Sequence, residues 1–130
     1  MEKVISVLQE RKKAPARLTK NSKLFKTILN AIKDKKGDAI VSLDLKKIDE
    51  AVADYFILCE ARSNIQINAI AQSIKDAVEI ECDESPYHIE KGESWTLVDY
   101  VNVVVHIFQH EQRMFYGLEN LWADAPRAEH

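Results

Sequence analysis

The stretch Ser94–Trp122, SWTLVDYVNVVVHIFQHEQRMFYGLENLW, leaves this chain few choices of fold. Within it Trp95, Leu97 and Asp99 face one way while Thr96, Val98 and Tyr100 face the other, the two-residue period of a strand. Val101 and Asn102 then supply a turn. Val103 to Phe108 runs with almost no polar break, as a strand covered on both faces does. The residues after it repeat at helical spacing and put Met114, Leu118, Leu121 and Trp122 on one stripe. The whole stretch reads as a hairpin followed by a helix that docks on it.

The rest of the chain supplies partners for that hairpin. Asn21 or Ser22 can cap a helix in which Phe25, Ile28, Leu29 and Ile32 recur at helical spacing, and Lys35, Lys36 and Gly37 give it a basic last turn and a stop. Ala39 to Leu43 reads as a strand. Tyr55 to Cys59 is rich enough in aromatic and branched residues for a central strand, and Asp49, Glu50 and Asp54 before it read as carboxylates left in water. Ser63 and Gln66 make a capping box for a second helix that buries Ile67, Ile70, Ala71, Ile74 and Val78 and ends near Glu81. Pro86 to Glu90 is a short strand, turned by Lys91, Gly92 and Glu93 into the Trp95 strand. This alternation predicts an α/β fold, a small mixed β-sheet flanked by helices. Residues 24–125 form the single domain, preceded by a basic, flexible tail over 1–23 and followed by a short C-terminal tail over 126–130.

Charge divides the chain unevenly. Residues 1–36 hold eleven Lys or Arg against three acids, a balance of +8, and the remaining residues hold seven against eighteen, a balance of −11. A basic arm favours phosphate and an acidic body favours a basic partner surface. No apolar run approaches the ~20 residues of a membrane span, and no signal-type hydrophobic block follows the N-terminal charges, so a cytoplasmic protein is expected. Cys59 and Cys82 show no metal or redox spacing and read as reduced, structural thiols.

Five motifs occur in order: the D-Y-F-I-L-C strand from Asp54, the S-x-x-Q helix start at Ser63, W-x-L-V-D from Trp95, V-V-V-H ending at His106, and F-Y-x-L-E-x-L-W from Phe115 to Trp122. Together, over roughly Leu24 to Ala125, they resemble the Iojap family, the ribosomal silencing factors called RsfS. The resemblance implies a nucleotidyltransferase-like core without a catalytic site. It implies a protein that binds the large ribosomal subunit through its ribosomal protein fourteen and blocks the bridge to the small subunit, repressing translation without turnover. Carried onto this chain, the family's motif residues fall on Trp95, Asp99, His106, Tyr116, Leu118 and Glu119. Some members have a glycine and an acid in the hairpin turn where this chain has Val101 and Asn102.

A nucleotidyltransferase-like enzyme, or a nucleotide-binding protein, is the natural competitor. It needs a small-residue loop at phosphates and two or three carboxylates converging on magnesium. Gly37, Gly92 and Gly117 do not form such a loop, Asp99 has no acid two positions on, and no serine sits in a nucleophile elbow with His106. No catalytic residue, metal site or cofactor is therefore expected. The surface reading instead puts Trp95 at the exposed start of its strand beside Asp99, an aromatic anchor on an acidic rim, with a place in the core as the evenly weighted alternative for Trp95. In the last helix Phe115, Leu118 and Trp122 are expected to dock on the sheet while Tyr116, Glu119 and Asn120 look outward. The basic tail is expected to contact rRNA, and self-association into a homodimer is compatible with this reading.

Overall fold

The computed structural model describes residues 19–20, 22–48 and 51–130. Most of the basic tail assigned to residues 1–23, and the acids Asp49 and Glu50, lie outside those residues. The first helix, α1 (Lys23–Asp34), starts where Ser22 adopts an extended backbone and its hydroxyl accepts the Phe25 N–H at 3.2 Å. That bond satisfies one of the donors a helix start leaves open. The chain then forms β1 (Asp38–Asp44) and β2 (Tyr55–Ala61), the long α2 (Asn64–Cys82), β3 (His88–Lys91), β4 (Trp95–Asp99) and β5 (Val103–Gln109). It ends with α3 (His110–Tyr116), α4 (Leu118–Leu121) and β6 (Arg127–Glu129).

The six strands make one mixed sheet in the order β3-β4-β5-β2-β1-β6. Only β2 and β5 run parallel, with Tyr55 opposite Val103 and Leu58 opposite His106, and every other pairing is antiparallel. The expected central strand is thus at the centre, and the expected hairpin is β4–β5. Residues 126–130, set apart in the sequence as a tail, complete the sheet instead. Val41, Ser42 and Leu43 pair with Glu129, Ala128 and Arg127, and Ser42 Oγ lies 2.8 Å from His130 Nε2.

Both faces of the sheet are covered. On one, α1 and α2 pack Phe25, Ile28, Ile32, Ile67, Ile70 and Ile74 against Tyr55, Ile57, Cys59, Val103, Val105 and Ile107. On the other, the connection carrying Leu45, Ala51 and Ala53, together with Leu118, Ala125 and Trp122, covers Phe56, Leu58, Trp95, Leu97, Val104 and Phe108. Alternate residues of β2, β4 and β5 therefore point into two separate cores, which is why these strands read as nearly unbroken apolar runs.

The start of α2 departs from a reciprocal capping box. Ser63 Oγ accepts the Gln66 N–H, but Gln66 turns away from Ser63: its Oε1 accepts the Arg62 N–H at 2.8 Å and its Nε2 donates to the carbonyls of Lys35 and Lys36. One side chain so ties the beginning of α2 to the end of α1.

Candidate protein-docking face

The residues singled out by motif fall into two groups, and the larger one is internal. Trp95 is 1% exposed. It is wedged between Phe108 and Tyr116, with ring centroids at 4.7 and 4.8 Å, and its indole N–H donates to His106 Nδ1 at 3.2 Å. This corrects the expectation of an exposed anchor: the alternation Trp95-Leu97-Asp99 is real, but the face it points to is covered by the last helices. Asp99 is likewise fully buried, its carboxylate accepting the Val101 N–H at 2.7 Å, so it offers no charge to a partner surface.

His106 lies in the same core. An indole can only donate, so Nδ1 is the acceptor and the proton sits on Nε2. Nε2 is buried without a hydrogen-bond partner among the described residues, and the ring lies edge-to-face with Phe56 at 4.6 Å. Burial lowers the imidazole pKa to about 3, keeping it neutral. Leu118 is also buried. Trp95, His106 and Leu118 are thus all interior.

Glu119 is tied down rather than free. The predicted single helix breaks at Gly117, whose φ of 56° is left-handed and suits a residue without Cβ. The break swings α4 so that Glu119 meets the buried Arg113 as a two-pronged pair, Nε to Oε1 at 2.8 Å and Nη2 to Oε2 at 3.2 Å. Arg113 Nη1 also donates to the Ala39 carbonyl at 2.7 Å and to Glu60 at 3.1 Å, and Arg127 reaches Glu119 Oε2 at 2.8 Å. The hydrogen bond from Arg113 holds the Glu119 carboxyl below its usual range. One guanidinium therefore pins α3, α4, β1 and β2 together at the edge of an open cleft of about 680 Å³ that Met114, Arg127 and Glu129 help line.

What remains outside is apolar. Phe115 is 79% exposed, Leu121 69%, Met114 65% and Tyr116 36%. Met114 and Leu121 were expected on the buried stripe and Phe115 on the sheet; the turn at Gly117 ends the helical register on which that stripe depended. Only Leu118 and Trp122 keep their inward places. Phe115 and Tyr116 stand edge-to-face at 5.0 Å and, with Glu111 and Gln112, line a hollow of about 300 Å³. Exposed aromatic and aliphatic side chains carried by two consecutive short helices mark a surface suited to association. A signal for it was in the sequence: the glycine that interrupts the stripe.

Among the described residues no three His, Cys, Asp or Glu side chains converge as metal ligands would, and no helix is long and apolar enough to cross a membrane. The profile of the family described as "Ribosomal silencing factor during starvation" matches residues 18–130. The Bacillus subtilis ribosomal silencing factor RsfS is 40% identical over 111 residues, covering 82% of this chain and 90% of that protein. The chloroplastic Iojap protein of Zea mays is 42% identical over 71 residues, 55% of this chain and 31% of the longer plant protein. A crystal structure of a Bacillus halodurans protein superposes with a TM-score of 0.71 at 35% identity, covering 85% of this chain and all of the other.

Proposed function

Because the chain belongs to the ribosomal silencing factor family, we propose that it represses translation in the cytoplasm by docking on ribosomal protein fourteen of the large subunit and standing where the small subunit must bind. The single observation that carries this reading is that α3 and α4 leave Met114, Phe115, Tyr116 and Leu121 exposed on the acidic part of the chain. From residue 92 onward the sequence has no lysine, and its two arginines, Arg113 and Arg127, are both engaged by Glu119. Such a surface suits a basic protein and is repelled by bare rRNA phosphate, so it discriminates between the two main components of a ribosomal surface.

The proposed mechanism is steric. A compact body of roughly 110 residues, the size of the described part, has a radius of gyration of ~13 Å, and two subunits joined by direct contacts cannot accommodate such a body between them. No bond is made or broken. Trp95, His106 and Leu118 contribute by holding the inner side of the docking face, Asp99 by fixing the β4–β5 turn, and Tyr116 by facing both the core and the partner.

Light scattering during subunit joining tests the proposal. With the chain saturating, the rise in scattering on mixing subunits is suppressed, and the chain sediments with large subunits and not with small ones. Joining at the normal rate and extent in the presence of excess chain would refute it.

A further inference from the structure

Within the docking face, the hollow on α3 has a chemistry of its own. Glu111 and Phe115 are four residues apart on one helix, as are Gln112 and Tyr116, so the carboxylate and the amide stand over the two rings on one side of α3. Tyr116 is backed by Trp95 at 4.8 Å, and Trp95 is locked by its bond to His106, so one wall of the hollow is held by the core before anything binds. Phe115 meets Tyr116 at an angle of 79° and otherwise stands in solvent. A ring face attracts a cation, and a carboxylate beside it adds a charged acceptor. A planar guanidinium uses both at once, stacking on the ring and forking onto the carboxylate, which an ammonium cannot do as well.

We propose that the hollow formed by Glu111, Gln112, Phe115 and Tyr116 receives an arginine side chain of the basic ribosomal protein on which the chain docks. The proposal rests on the silencing reading above. The lining supports that occupant: the notch holds one carboxylate, one amide and two rings and no cation, Arg113 and Arg127 are turned toward Glu119, and Arg62 lines the separate, neighbouring hollow that Glu111 also borders.

The test uses the full chain and intact large subunits, with binding followed by sedimentation. Glu111→Lys and Phe115→Ala each raise the Kd by about tenfold or more, the range of anchoring residues, and Glu111→Gln raises it less than Glu111→Lys. Ile80→Ser, an exposed position on α2, leaves it unchanged. All these positions are at the surface, and matching circular dichroism and melting curves verify the fold. Wild-type chain that binds while Glu111→Lys and Phe115→Ala bind equally well overturns the socket and leaves the silencing reading standing. Wild-type chain that does not bind large subunits overturns the reading itself, and the socket with it. Variants that alter self-association and not subunit affinity assign the hollow to a second copy of this chain and overturn the proposal.

Discussion

At the scale of single residues, the β4–β5 turn stores strain that the sequence makes visible. The Asn102 N–H bonds the Tyr100 carbonyl at 2.9 Å across Val101, whose φ is 71°. This is a three-residue turn in a conformation that a β-branched side chain resists. It persists because Asp99 accepts the Val101 N–H, Asn102 donates to Asp54, and the Asn102 carbonyl receives the N–H groups of Asp54 and Tyr55. Glycine at this position adopts the same φ without a Cβ clash. Val101→Gly is therefore expected to stabilise the chain by about 1 kcal/mol, read as a higher urea midpoint; an unchanged or lower midpoint would show the turn to be unstrained. His106 gives a second prediction. Unfolded, it takes up a proton as pH drops through about 6.5, whereas folded it stays neutral down to about 3. Its contribution to stability is full above 6.5 and shrinks as pH falls. In His106→Gln, whose side-chain oxygen can still accept from Trp95, the loss of stability from pH 6.5 to 4.5 should be shallower than in wild type by up to about 1.4 kcal/mol per pH unit. Parallel curves from chemical unfolding across that range would remove His106 from the acid response. The burial of His106 was legible in the unbroken apolar run of its strand, whereas that of Trp95 and Asp99 was not, because a period of two says that a strand has two faces and not whether water meets either of them.

At the scale of elements, the last turn of the fold depends on Gly117 and Arg113. A Cβ on Gly117 would meet only ordinary van der Waals contacts, with Asn120 Nδ2 at 3.7 Å and the Met114 carbonyl oxygen at 3.9 Å, so Gly117→Ala pays only for the left-handed backbone. That cost is about 1 kcal/mol. Arg113→Met fills similar volume but leaves Glu60 and Glu119 without their shared guanidinium and the Ala39 carbonyl without its donor. Both carboxylates retain some access to water, which places the expected loss near the lower end for a broken buried pair, about 3 kcal/mol. Arg113→Lys keeps the charge without the fork and should fall between the two, and equal stability of all three chains in urea would show the pair to be incidental. Helix starts, the hairpin and the central strand were legible because serine caps, a two-residue period and runs of branched residues are local signals. The strand β6 was not: three residues after Pro126 carry no period, and their pairing depends on the exposed edge of β1. The inward stripe of the last helix was drawn through Gly117 as though the helix continued, which hid Met114, Phe115 and Leu121 as surface residues.

At the scale of the whole molecule, the opposite charges of the two ends set opposite responses to salt. On the proposed reading the acidic body is drawn to a basic protein, and the exposed apolar side chains of α3 and α4 would add a contact that salt does not screen. The residues before the described part, 1–18, hold Lys3, Arg11, Lys12, Lys13 and Arg17 against Glu2 and Glu10. On a ribosomal surface dominated by phosphate, those five cations are expected to touch rRNA and release counterions. Helix α1 begins at Lys23 under the Ser22 cap, so a deletion of residues 1–18 leaves the cap and the helix intact. If all five cations sit on phosphates, the slope of log K against log salt for large-subunit binding should become less steep by about 3.5 on deletion. The truncated chain should then bind more weakly than the full chain in dilute buffer and equally well once salt has screened the arm. Because the steric body is unchanged, saturating truncated chain should still suppress subunit joining. Slopes that coincide for the two chains would confine the ribosomal contact to the acidic body, whereas loss of suppression at saturation would mean that the arm itself occupies the blocked surface.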